Sequence, residues 1–130
     1  MAISNFADLL SEARKQPEPQ RLLFVCARAE LPDYPSEEQR RRFEQGEGGA
    51  LTPVTCVDKT PDELSDMATF VEQSNQTGQD WDLVFAAAMT DPGDNEVIEQ
   101  QLRRMVETLQ MGSIEAFLAF NRSGEVVGFQ

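Results

Sequence analysis

Leu22-Leu23-Phe24-Val25-Cys26-Ala27 is a run of six apolar residues without polar alternation. A strand with one face in water alternates, whereas a continuous apolar run of this length fits a strand covered on both faces. The segment is therefore expected at the centre of a sheet, and the rest of the chain has to supply its neighbours and its cover.

Before it, Ser4 is placed to cap a helix whose Phe6, Leu9, Leu10 and Ala13 fall at i, i+3, i+4 and i+7, until Pro17 and Pro19 end it. After it, Pro32 and Pro35 break the chain, and Ser36-Glu37-Glu38-Gln39 reads as a capping box opening a polar helix that stops near Gly46. On that helix Arg40, Arg41 and Arg42 point in three directions, with Glu37, Glu38 and Glu44 in reach, so a salt-bridge lattice is expected in preference to an anion site. Gln45-Gly46-Glu47-Gly48-Gly49-Ala50 lacks the Lys-Ser/Thr pair of a phosphate loop and precedes a strand where such a loop follows one, so it reads as a helix stop and flexible connection.

Leu51-Thr52-Pro53-Val54-Thr55-Cys56-Val57 has Val54 and Cys56 on one face and a proline that forbids one ladder bond, the mark of an edge strand or of one that starts at Val54. Thr60-Pro61-Asp62-Glu63 then combines a capping hydroxyl, Pro at the first helical position and a Glu that closes the box. The spacing predicts a helix from there to Gly78 that buries Leu64, Met67, Ala68 and Val71. Trp81 and Leu83-Val84-Phe85-Ala86-Ala87-Ala88-Met89 give a second strand covered on both faces, and Asp91-Pro92-Gly93 turns the chain. A helix from Asp94 or Asn95 carries Ile98, Leu102, Met105, Val106 and Leu109 on one side and ends at Gly112. Residues 114–120 and 125–129, joined by Asn121-Arg122-Ser123-Gly124, read as an antiparallel hairpin. The order predicts one domain over residues 1–130, of two-layer α+β or α/β type. Helices pack on a mixed sheet of about five strands, through strand-helix-strand crossovers, with a C-terminal antiparallel hairpin.

Eleven basic and twenty-three acidic residues give a net charge of −12, a field that repels phosphate backbones and anionic lipids, so neither nucleic acid nor a membrane is an expected partner. Half of that charge lies in residues 58–82, which hold seven acids and one base. A solvated helix face is the plain reading of this acidity, and docking to a basic partner is the sharper one. Met1-Ala2-Ile3-Ser4-Asn5-Phe6-Ala7-Asp8 has neither the basic segment nor the apolar stretch of a signal peptide. A cytoplasmic location and reduced thiols at Cys26 and Cys56, both expected in the core, follow.

There is no histidine, which removes the usual general base and the commonest metal ligand. Two distant thiols do not make a structural zinc site, so no catalytic residue, metal or cofactor is expected. Asp62 with Asp66 and Asp80 with Asp82 are explained by cap and turn roles. Met105, Leu109 and Met111 form a soft apolar stripe whose usual fate is core packing. The segment best placed to hold a ligand is Cys56-Val57-Asp58-Lys59-Thr60, because it joins a strand's carboxyl end to a helix amino end, where anions are favoured. There Lys59 and Thr60 are the useful groups, with Asp58 between them and Cys56. A thiol at Cys56 near Lys59 and a helix end favours thiolate, while a core-facing position favours inertness.

Phe6-Ala7-Asp8-Leu9-Leu10, residues 16–25 (Gln-Pro-Glu-Pro-Gln-Arg-Leu-Leu-Phe-Val) and residues 49–59 (Gly-Ala-Leu-Thr-Pro-Val-Thr-Cys-Val-Asp-Lys) resemble a family of small proteobacterial proteins whose members often carry the label ribonucleotide reductase alpha subunit. The resemblance spans the chain. It implies a bacterial cytosolic protein and carries no catalytic residues onto these positions. Two functional readings result. One is a non-enzymatic interaction or regulatory protein, a homodimer or the docking unit of a protein partner, pairing through the edge strand near Val54. The other is a module or minor enzyme that takes a small anionic ligand at Asp58-Lys59-Thr60.

Overall fold

The computed structural model describes residues 3–30, 36–44, 50–78, 80–111 and 117–127, and the backbone alone of Ala29, Glu30, Gln39, Arg42, Phe43, Glu44, Ala50 and Leu51. The prolines at 32 and 35, the glycine loop at 46–49, Gly112, and the Arg42 and Glu44 ends of the anticipated lattice lie outside what is described.

Helix α1 (Phe6–Arg14) buries the anticipated stripe of Phe6, Leu9, Leu10 and Ala13. Its cap is Asn5, whose Oδ1 accepts from the Asp8 backbone N–H at 2.9 Å, one residue later than the Ser4 expected. Strand β1 (Gln20–Glu30) follows, then helix α2 (Glu37–Glu44), strand β2 (Ala50–Lys59), helix α3 (Met67–Asn75), strand β3 (Leu83–Thr90), helix α4 (Asn95–Gln110) and strand β4 (Leu118–Asn121). The strands form one sheet in the order β2-β1-β3-β4. Each neighbouring pair is antiparallel.

The protein is therefore α+β, with two corrections to its sheet. It is antiparallel where a mixed sheet was expected, because β2 and β3, which do run parallel, are separated by β1 lying antiparallel between them. Among the described residues it has four strands, not about five, because the return arm of the C-terminal hairpin makes only single bridges there, Asn5 with Glu125 and Phe120 with Val126. The hairpin itself exists. Asn121 N–H donates to the Glu125 carbonyl at 3.0 Å and Val127 N–H to the Ala119 carbonyl at 2.8 Å.

Helices lie on both faces, so the two-layer expectation is also corrected. Leu22, Phe24 and Cys26 face an aromatic core with Phe6, Phe70, Trp81 and Phe120, built under α1 and α3. Leu23, Val25 and Ala27 face Phe85, Ile98, Leu102, Met105 and Leu109, under α4. This double cover explains the absence of alternation in β1, where Leu22, Phe24, Val25 and Cys26 are all 0 % exposed. The aromatic side is interlocked: the Phe6 ring stands edge-on to Phe120 at 5.6 Å and lies 5.7 Å from Phe70.

Two local features hold that side closed. Trp81 is buried, and its Nε1–H donates to Ser74 Oγ at 2.9 Å, while that hydroxyl donates to the Val71 carbonyl at 2.8 Å. Gly124 sits at φ +84°, and a Cβ there would meet Met67 Cβ at 3.2 Å and Phe6 Cβ at 3.3 Å, so a left-handed turn and a close approach both require glycine. Among the described residues, no helix is long and apolar enough to cross a membrane.

Candidate functional site at the open sheet edge

Strand β2 is ten residues long and occupies one edge of the sheet, as its proline predicts, and it starts at Ala50, ahead of Val54. The pairing with β1 slips where Cys26 faces Thr55 and Ala27 faces Pro53, so Val54 is the extra residue of a bulge. The bulge changes the strand's parity. Val54 and Val57 both pack against the aromatic core, whereas Cys56, opposite Val25, falls on the α4 side and is exposed. The inserted residue corrects the expectation that Val54 and Cys56 share a face, and the expectation that Cys56 fills the core is corrected by its place on the edge strand, beside a hollow that α4 leaves open. Cys26 is buried, and burial pushes its thiol up to about 12, so it is a neutral filler at pH 7.

The junction after β2 also differs from expectation. The capping box at Thr60 forms, with Glu63 Oε1 accepting from both the backbone N–H and the hydroxyl of Thr60 at 3.0 Å. The helix it opens is only a 3₁₀ turn, Pro61–Glu63, because Leu64 adopts an extended conformation and buries its side chain in the core. Arg14 at the end of α1 donates to the carbonyls of Pro61 at 3.0 Å and Leu64 at 2.8 Å, supplying partners that a continuing helix would have given. Helix α3 starts afresh at Met67, capped by Asp66, whose Oδ1 accepts from Thr69 N–H at 2.8 Å. Of the anticipated stripe, Leu64 and Met67 are buried and Val71 packs half-buried against the core, whereas Ala68 is exposed and Phe70 and Ser74 are buried as well. The amino end expected to attract an external anion is thus occupied by the chain's own Glu63 carboxylate. Hydrogen bonds from Thr60, and secondarily Lys59 and Arg21, hold that carboxyl below its ordinary range.

The four residues anticipated for a ligand are divided by the sheet. Asp58, opposite Leu23, joins a charge cluster around Arg21, whose guanidinium lies 3.2 Å from Asp58, 3.0 Å from Asp91 and 3.8 Å from Glu63. Three carboxylates against this one arginine leave that face of the junction net negative, so it does not attract anions. The Arg21 Nε is buried without a hydrogen-bond partner. Lys59, opposite Leu22, is on the other face, with its ammonium 4.0 Å from Glu63. Thr60 is held within its own cap.

A hollow flanks β2 on each face. On the α4 side, one of about 470 Å³ is lined by Cys56, Glu99, Leu102, Arg103, Val106 and Glu107. On the α3 side, one of about 520 Å³ is lined by β2 residues Thr55, Val57 and Lys59, by Cys26, and by Phe70, Gln73 and their neighbours on α3. Gln73 Oε1 is buried there with no hydrogen-bond partner, an omission that costs about 1–3 kcal/mol in a folded protein. Sequence reasoning missed Gln73, because its importance depends on where α3 starts. Among the described residues, no group of three or more acids or cysteines is gathered as a metal site would require.

Comparison with family models, with curated proteins and with solved structures finds no match to this chain.

Proposed function

We propose that this is a non-enzymatic interaction protein whose working surface is the open edge of β2, and that its occupant there is a second copy of the chain. The observation that carries the reading is the charge along that edge. In a chain of net charge −12, β2 has no charged residue from Leu51 to Val57, and the next acid, Asp58, is matched by Arg21 at 3.2 Å. Two like-charged copies can approach where their mutual repulsion is least, and an unpaired strand edge offers backbone donors and acceptors to pair. The bulge and Pro53 restrict pairing to the smooth stretch beyond them, Thr55 to Lys59. A two-fold axis near Val57 sets Cys56 of each copy opposite Asp58 of the other. The cytosolic setting implied by the family resemblance is compatible with Cys56 remaining a free thiol.

The reading is tested by light scattering across a range of protein concentrations. The native chain is expected at twice the 14.6 kDa protomer mass. Cys56→Glu, which sets two carboxylates opposite each other, is expected at the protomer mass, while Cys56→Ser keeps the dimer and so excludes a disulfide as its cause. A native chain that stays at 14.6 kDa throughout, or a Cys56→Glu variant that dimerises as the native does, overturns it.

A further inference from the structure

We infer that the hollow between β2 and α3 is a binding site for a small monoanionic carboxylate that also carries an N–H donor, a molecule of amino-acid or N-acyl amino-acid size. This goes beyond the edge-pairing function and uses different side chains. It also differs from an anion held at the Thr60 junction, where Glu63 already occupies the capping position.

The hollow exists because the strand is wider than its cover. Leu22, Phe24 and Cys26 on β1 are fully buried, yet their partners on β2, Lys59, Val57 and Thr55, are only half-buried. Helix α3 closes over β1 and leaves a shelf beside it. Small side chains keep that shelf open: Ser74 is turned toward Trp81, and Thr77 donates its hydroxyl to the Ser74 carbonyl at 2.7 Å. The space, about 520 Å³, is within the range that small-molecule sites occupy.

Its chemistry selects the ligand. The floor is Phe70, Val57 and the neutral Cys26 thiol, which favour an apolar body. The rim carries one cation, Lys59, and no carboxylate among the residues that line it, although seven acids lie in residues 58–82. The nearest acid, Glu63, is 4.0 Å from the Lys59 ammonium and already accepts two hydrogen bonds from Thr60. The ammonium thus has donors to spare, and its half-offset charge matches one negative charge and not the two of a phosphate monoester. Gln73 Oε1 supplies the second requirement. It is a buried acceptor with no partner among the described residues, so a ligand N–H completes it, and a ligand without one leaves it unmet. Carboxylate on Lys59, N–H on Gln73 and apolar body over Phe70 give three points of recognition.

The test uses the full-length, isotope-labelled protein, titrated with the proteinogenic amino acids, their N-acetyl forms, propionate and inorganic phosphate, and followed by amide chemical shifts. At least one N–H-bearing carboxylate is expected to give saturable shifts at the Gln73 side-chain amide and at Thr55, Val57 and Gln76, while propionate binds at least tenfold more weakly. Lys59→Met, which keeps the aliphatic stem, is expected to weaken that ligand tenfold or more. Gln73→Leu is expected to abolish the preference over propionate. Light scattering on both variants separates this site from the edge: unchanged mass with lost binding places the ligand in the hollow. Overturning results are the absence of saturable shifts at these positions with every probe, tighter binding of phosphate than of any carboxylate, or native affinity in both variants.

Discussion

The two edges of the sheet are built in opposite ways. At the β4 edge the strand is four residues long, Ala119 and Phe120 are buried, and the chain folds back on it through Asn121–Gly124, with Val127 N–H closing on Ala119. Arg122 stacks 4.6 Å above the Trp81 ring and donates to the Trp81 carbonyl at 3.0 Å. At the β2 edge a strand of ten residues has no such cover among the described residues, and Thr55, Val57 and Lys59 remain half-exposed. The difference separates stability from function. A closed edge contributes packing, whereas an open one leaves backbone groups and side chains available.

Substitutions that probe this contrast fall in a definite order. Phe120→Ala removes a ring that is 0 % exposed and edge-on to Phe6, and is expected to cost about 3–5 kcal/mol in denaturant unfolding. Gly124→Ala forces a Cβ to 3.2 Å from Met67 at positive φ, with an expected loss of roughly 1–3 kcal/mol. Ser74→Ala leaves the Trp81 N–H buried without its acceptor, for about 1–3 kcal/mol and a shifted tryptophan emission. Cys56→Glu, at an exposed position on the open edge, should change stability by no more than about 0.5 kcal/mol while altering association. An equal loss of stability at Cys56 and at Phe120 would break the distinction between the edges.

The smallest effect is one of pH. Glu63 is held below its ordinary value of 4.5 mainly by Thr60, and Asp66 below 3.8 by Thr69. Because both are lowered in the folded state, their contribution is present above those values and is lost as pH falls through the lowered ones. Glu63→Gln should therefore lower stability at neutral pH, where the native carboxylate contributes, and leave it nearly unchanged in acid where Glu63 is protonated, so that the acid limb of the stability profile flattens.

What the sequence made legible was whatever depends on neighbours along the chain. The stripe of Ile98, Leu102, Met105 and Leu109 on α4, its Asp94 cap and the unbroken apolar run of β1 all match the structure. The edge position of β2 was also readable, from Pro53. Strand direction was not, since placing β1 between β2 and β3 is decided by contacts far apart in sequence. The bulge at Val54 has no signature in its own residues, and it sets Val54 and Cys56 on opposite faces. The helix start was misread for a different reason. The Thr60 signal is real, but burial of Leu64 and the second cap at Asp66 outweigh continuing the turn. For that reason the pairing of Gln73 with Lys59 across one hollow could not be anticipated, although both residues sit in clear secondary structure.

The most direct test of edge pairing is backbone amide hydrogen exchange measured at several protein concentrations, with β2 and β4 followed separately. If β2 pairs with a second copy, protection at Thr55 to Lys59 rises with concentration while protection in β4 stays constant. Protection in β2 that does not depend on concentration would contradict the claim that this edge is the working surface.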